Sequence, residues 1–207
     1  MASQPPPPPP SPHPLEPPIS PDPSPTDRLL ERVVLLGYMA SGKSTIGESL
    51  ARRLEWRFLD FDVEIERREG RAVSEIIDLK GEAYFRELEA ALTLEAAQEQ
   101  HLVLAPGGGW ITRPEMLEAL GPGTLSVWIR VSPGETARRL KQDPIDRPLK
   151  ELPDAAARIA EMQAEREPLY RMADHTAPAD VRSAEEVAFE IEQLVRTRGI
   201  APPRPPR

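Results

Sequence analysis

Nine consecutive residues, Gly37-Tyr38-Met39-Ala40-Ser41-Gly42-Lys43-Ser44-Thr45, have the spacing of a phosphate-binding loop: glycine, four residues, glycine, lysine, then serine or threonine. Such a loop holds a phosphate chain on free backbone N–H groups at the start of a helix, where the helix dipole adds positive potential. Gly37, Ala40, Ser41, Gly42, Lys43, Ser44 and Thr45 are therefore candidate nucleotide ligands. Lys43 is placed to reach the outer phosphates, and the Ser44 hydroxyl to take a coordination position on Mg2+.

Four further groups could do chemistry with a bound phosphate. Asp60-Phe61-Asp62 offers two carboxylates at the end of an extended run, and successive odd positions of a strand point to one side. One could face a hydrated magnesium ion and the other a substrate hydroxyl. Arg86 lies three residues from Glu89 in Gly81-Glu82-Ala83-Tyr84-Phe85-Arg86-Glu87-Leu88-Glu89. That spacing also suits a solvent-exposed ion pair on a helix, worth only ~0.3–0.5 kcal/mol. Gly107-Gly108-Gly109 follows another apolar run. Three glycines cost ordering entropy, and they suggest a backbone that a ligand approaches closely. Arg166 in Glu165-Arg166-Glu167-Pro168-Leu169-Tyr170 has two readings, an ion pair within the protein or a two-pronged bond to a substrate carboxylate.

The elements that must position these groups can be read from apolar periodicity. Strands are expected at 33–36, 57–60, 102–105, 125–131 and 175–177. Ile46, Leu50 and Leu54 put one apolar face on the helix that follows the phosphate loop. Other helices are expected at 82–100, at 155–167 after a cap at Asp154, from Ser132-Pro133-Gly134-Glu135 to Leu140, and after the capping box Ser183 to Glu186. Strands alternating with helices imply a three-layer α/β/α sandwich on a five-stranded parallel sheet. Residues 138–151 form a polar segment with prolines at 144 and 148 around Arg147. This is the composition of a lid over a nucleotide site, or of a plain surface loop.

Composition excludes several classes. Of 26 prolines, 13 fall in residues 1–25, so residues 1–26 read as a disordered polyproline-biased tail. Residues 27–200 read as the folded domain and 201–207 as a loose C-terminal end. The absence of cysteine removes thiol catalysis, disulfides and Cys-based metal sites. The net charge of −8 argues against a nucleic-acid surface, and no apolar run reaches membrane-spanning length. A cytoplasmic chain is expected.

Taken together and in order, these motifs resemble the shikimate kinase family over about residues 30–195. The phosphate loop, Asp60-x-Asp62, Gly81 to Glu89, Gly107–Gly109, Arg147-Pro148-Leu149 and Arg166 with Pro168-Leu169-Tyr170 all fit its pattern. The resemblance implies a monomeric nucleoside-monophosphate-kinase-like fold and transfer of phosphate from ATP to the 3-hydroxyl of shikimate, a step of aromatic amino acid biosynthesis. It implies ATP phosphates on Lys43 and the loop amides, and Mg2+ on Ser44 and, through water, Asp60. Asp62 would orient the acceptor hydroxyl or take its proton, and Arg147 would bring charge to the transferring group. Arg86 and Arg166 would clamp the shikimate carboxylate, with Glu89 holding both arginines and Gly107, Gly108 and Gly109 lining the pocket. Arg138 or Arg139 would meet the adenine. Pro106 and Trp110 depart from the family's smaller residues, and Trp110 is expected at the pocket rim. A gluconate kinase of the same architecture and a non-catalytic kinase-like binding protein are the alternatives. A regulatory GTPase is disfavoured, because no Asn-Lys-x-Asp follows a strand.

Overall fold

The computed structural model describes residues 29–142 and 155–204. The segment 1–26, Arg147 with residues 143–151 of the expected lid, and Asp154 lie outside these residues.

Five strands run β1 Arg32–Leu36, β2 Arg57–Asp60, β3 Leu102–Ala105, β4 Thr124–Arg130 and β5 His175–Pro178. They form one sheet in the order β2-β3-β1-β4-β5, and every pairing is parallel. The buried strand β1 shows why both faces are covered. Val33 and Leu35 join one apolar cluster while Val34 and Leu36 join another, as alternation along a strand requires. The first cluster is closed by α1 (Lys43–Leu54) and α8 (Ala184–Arg198) through Ile46, Leu50, Val187 and Ile191. The second is closed by α2 (Phe61–Glu69), α3 (Val73–Lys80), α4 (Glu82–Ala96) and α5 (Glu115–Ala119) through Phe61, Ile76, Phe85 and Met116. The helices α6 (Pro133–Gln142) and α7 (Ala155–Tyr170) pack on each other beside the phosphate loop.

Four sequence expectations are corrected. The helix expected to reach residue 100 ends at Ala96, and the chain turns through His101 at φ 56 before β3. The helix expected to stop at Glu167 continues to Tyr170 with Pro168 in its last turn. Proline there removes only one helical N–H, so the helix need not stop before it. Residues 201–204 are fastened rather than loose. The Ala201 N–H donates to the Leu30 carbonyl at 2.9 Å, and Arg204 pairs with Glu31 at 2.9 Å. Trp110 is in the core, not at a rim. It opens a short 3-10 turn at 110–112, is 1% exposed, and donates its indole N–H to the buried Thr93 hydroxyl at 3.0 Å.

Because Trp110 fills the second cluster, Trp110→Ala is expected to destabilise the protein by ~3–5 kcal/mol. A urea unfolding midpoint measures it, and a loss below ~1 kcal/mol would place Trp110 outside the core.

Candidate active site

The sheet order decides where the site lies. The chain leaves β1 for β2 on one side and leaves the neighbouring β3 for β4 on the other, so the two connections diverge at the C-terminal ends of β1 and β3. Ligands of open α/β sheets bind at such a switch point. The phosphate loop leaves β1 there and the three glycines follow β3 beside it; the loop, Gly107, Gly108, Asp60 and Asp62 line one cleft of about 480 Å³.

The loop has the backbone that phosphate binding needs. Gly42 caps α1 at φ 92, and Ala40 also takes a positive φ of 55. The Lys43 ammonium donates to the carbonyls of Gly37 at 2.8 Å and Tyr38 at 3.0 Å. Ser44, the next residue of α1, donates its hydroxyl proton to Asp60 Oδ2 at 2.5 Å.

Asp60 and Asp62 are positioned differently from the expectation of an extended pair. Asp60 ends β2 and caps α2, its Oδ1 accepting from the N–H groups of Asp62 at 3.0 Å and Val63 at 3.3 Å. Asp62 therefore sits on the first turn of a helix, not on a strand. The cap leaves Asp60 Oδ2 towards Ser44. The helix start aims Asp62 at the glycine run: a Cβ built on Gly107 would lie 3.3 Å from Asp62 Oδ1.

Each of the three glycines has other protein atoms close to where a side chain would start. A Cβ on Gly107 would lie 2.8 Å from Glu89 Oε1. On Gly108 it would lie 3.2 Å from the Met39 amide nitrogen of the phosphate loop, and on Gly109 it would lie 2.3 Å from Arg86 Nη2. The run is thus a rail against which the acid, the phosphate loop and the first arginine are each set.

Arg86 lies on α4, and its guanidinium donates to Glu89 at 2.6 Å and to Glu82 at 2.7 Å. The pair with Glu89 is not the exposed helix pair the spacing allowed, since Glu89 is 2% exposed. Burial pushes the Glu89 carboxyl above the usual range, Arg86 opposes that, and the nearby Asp62 charge adds to it. Glu89 Oε1 is buried with no hydrogen-bond partner, which leaves it as an acceptor facing Gly107. Arg166 is held differently. It donates to the Gly108 carbonyl at 3.3 Å, and its guanidinium lies 5.6 Å from the centre of the Tyr38 ring. Glu89 therefore holds Arg86 alone, not both arginines as expected.

Two contributors were not singled out from the sequence. Tyr170 is buried and donates to the same Gly108 carbonyl at 2.7 Å, and burial raises its hydroxyl pKa above the ordinary value. Tyr38 is the other. Its place inside the glycine-lysine motif was legible, but its contact with residue 166 depends on tertiary packing. Of the two arginines proposed for the base, Arg139 turns to the phosphate loop and donates to the Ser41 carbonyl at 3.2 Å. Arg138 turns to solvent, where it pairs with Glu135.

The arrangement joins a phosphate cradle, a carboxylate aimed into the cleft and two guanidinium groups on adjoining glycines. Gly109→Ala is expected to push Arg86 off its position and raise the KM of an anionic acceptor about 10–100-fold. The thermal midpoint should move little. An unchanged KM would show that Arg86 placement does not depend on Gly109.

A family model described as shikimate kinase matches residues 39–196. The shikimate kinase of Caldanaerobacter subterraneus subsp. tengcongensis is 36% identical over 162 residues, covering 78% of this chain and 94% of its own. That of a Synechococcus species is 39% identical over 172 residues, covering 83% and 90%. Among solved structures, shikimate kinase from Acinetobacter baumannii in complex with shikimate superposes with a TM-score of 0.74 at 33% identity, over 81% of this chain and 94% of that one. A gluconokinase from Sinorhizobium meliloti reaches a TM-score of 0.55 at 17% identity, over 82% and 94%, a likeness of fold alone. In sequence and in structure, this chain belongs to the shikimate kinase family.

Proposed function

We propose that the enzyme transfers the γ-phosphoryl group of ATP to the 3-hydroxyl of shikimate, giving shikimate 3-phosphate and ADP. The observation that carries this reading is the glycine rail, which sets a carboxylate and two arginines against a phosphate loop. Phosphoryl transfer asks the protein mainly for alignment and charge stabilisation. The loop amides and Lys43 bind the ATP phosphates. The ammonium leaves the Gly37 and Tyr38 carbonyls for stronger, charged acceptors. Asp62 accepts a hydrogen bond from the 3-hydroxyl, orients it and takes its proton as the new P–O bond forms.

Arg86 and Arg166 bind the shikimate carboxylate from two sides. Glu82 and Glu89 hold the Arg86 fork, while the Gly108 carbonyl and Tyr38 hold Arg166. Arg147 lies outside the described residues. Its role as the lid charge that neutralises the transferring group, and as an ATP contact, rests on the sequence pattern. Ser44 and Asp60 fit Mg2+, because this ion keeps several waters and takes one or two protein oxygens beside phosphate. Their oxygens stand 2.5 Å apart. When bound, Mg2+ neutralises charge on the phosphates.

A coupled assay of ADP release with shikimate, gluconate or water as acceptor tests the reading. Shikimate-dependent turnover is expected, and preference for gluconate would overturn it. Asp62→Asn keeps the side-chain shape but removes the proton acceptor. It should lower kcat about 10²–10⁴-fold while ATP binding stays intact. Near-normal turnover would take Asp62 out of the chemistry.

A further inference from the structure

Tyr38 belongs to the phosphate loop, yet its side chain serves the other half of the site. It is 3% exposed, and both ends of its ring are fixed on α7. The hydroxyl donates to the Met162 sulfur at 3.2 Å. One turn further along, the Arg166 guanidinium lies 5.6 Å from the ring centre. A cation at that distance from a desolvated aromatic face is attracted by the ring quadrupole. The backbone of the same residue faces the nucleotide. The Tyr38 carbonyl accepts from Lys43 at 3.0 Å and from the Ser41 N–H at 3.2 Å. Behind it, the carbonyl carbon of Tyr38 lies 3.4 Å from where a Gly108 Cβ would stand, and the Gly108 carbonyl is the other support of Arg166. Lys43, Tyr38, Gly108 and Arg166 thus form one contiguous set of contacts.

We propose that Tyr38 is a positioning residue that couples the two substrate sites, so that phosphates on the loop set the Arg166 guanidinium for the acid. The proposal rests on the reading of Arg166 as a ligand of the substrate carboxylate. When phosphates draw Lys43 from the Tyr38 carbonyl, the loop settles around the nucleotide, and its only long side chain between Gly37 and Met39 moves with it. The ring carries that change to Arg166, because the guanidinium lies over a ring that is almost wholly buried. The structural requirement is the aromatic face. The hydroxyl contact with Met162 helps to seat the ring but does not touch Arg166.

Coupling between sites is reciprocal, which makes it measurable by binding alone. Calorimetric titration of the full-length protein with shikimate, with and without saturating MgADP, gives the coupling factor directly. MgADP is expected to lower the Kd of shikimate at least about fivefold, and shikimate should lower the Kd of MgADP by the same factor. Tyr38→Phe keeps the face and should keep the factor. Tyr38→Leu and Tyr38→Met remove the face, and the factor should fall towards one while MgADP alone binds as before. Two aliphatic variants guard against one that fails to fold, and thermal melts identify it. The proposal is overturned if MgADP leaves the shikimate Kd of the unsubstituted protein unchanged. It is equally overturned if the aliphatic variants keep the coupling or if Tyr38→Phe loses it.

Arg166→Ala separates this proposal from the reading beneath it. A rise in the shikimate Kd of about tenfold or more supports Arg166 as the carboxylate ligand. If that rise occurs and the Tyr38 variants still couple, Tyr38 is not the link. If Arg166→Ala binds shikimate normally, the carboxylate reading itself fails and takes the coupling with it.

Discussion

The site depends on the absence of side chains at residues 107–109. β1 and β3 are neighbours paired in parallel, with Val34 opposite Leu104, so their outgoing loops start about 4.8 Å apart. β3 stops at Ala105, and Pro106 has no N–H with which to extend the ladder. The chain must then pass between the phosphate loop, α2 and α4. Distances of 2.3–3.2 Å from the hypothetical Cβ atoms to Arg86, Glu89 and the loop backbone show that a side chain at any of the three positions would displace a neighbour. The rail sets the phosphate loop, Asp62, Glu89 and Arg86 close together, each directly against backbone. This kind of preorganisation makes alignment worth several kcal/mol in catalysis.

Charge is handled locally. The chain carries −8 overall, yet both of its substrates are anions. At a Debye length of about 8 Å, groups far from the cleft are screened and those within it dominate. Arg86 carries two carboxylate partners, which both orient its fork and dilute its positive potential. Among the described residues Arg166 has no carboxylate partner, and it rests on a carbonyl and an aromatic face. Within the described residues its charge is therefore less neutralised than that of Arg86. The buried Glu89 is a costly device, since it loses its solvation. Its return is a guanidinium that does not have to be ordered when the substrate arrives.

Much of this was legible in the chain. All five strands lie within a residue of where they were expected; β1, β3 and β4 are mostly buried apolar runs, as a parallel sheet covered on both faces requires, whereas β2 (Arg57-Phe58-Leu59-Asp60) and β5 (His175-Thr176-Ala177-Pro178) are shorter and more exposed. The phosphate loop was legible because its glycines and lysine act through the backbone at fixed spacing. What was hidden depends on three-dimensional crowding. α2 and α3 carry few buried residues, Phe61, Ile65 and Ile76, so their periodicity is faint against a charged background. The glycine run announced itself, but its cause did not, because Arg86 and Glu89 reach it from another helix. Trp110 looked like an intruder at the rim, yet it is swallowed by the core through a hydrogen bond to Thr93 that no local pattern reveals. Tyr38 and Tyr170 support Arg166 from 128 and 4 residues away respectively, and only the nearer one lies on the same helix.

Asp60 shows why the aspartate pair was misread and why the misreading left its function intact. An aspartate at the end of a strand can point along the pleat or fold back to cap the next helix, and the sequence is compatible with both. Here one oxygen caps α2 and the other meets Ser44. The cap is what starts α2, and the start of α2 is what carries Asp62 into the cleft, on a helix terminus whose dipole favours negative charge. An extended Asp60-Phe61-Asp62 would also have shared one side between its carboxylates, but with Asp62 free to swing. Building the pair on a helix start ties Asp62 to the same residue that meets Ser44 of the phosphate loop. The folding of α2 and the spacing between phosphate and hydroxyl are therefore one constraint, held by a single carboxylate.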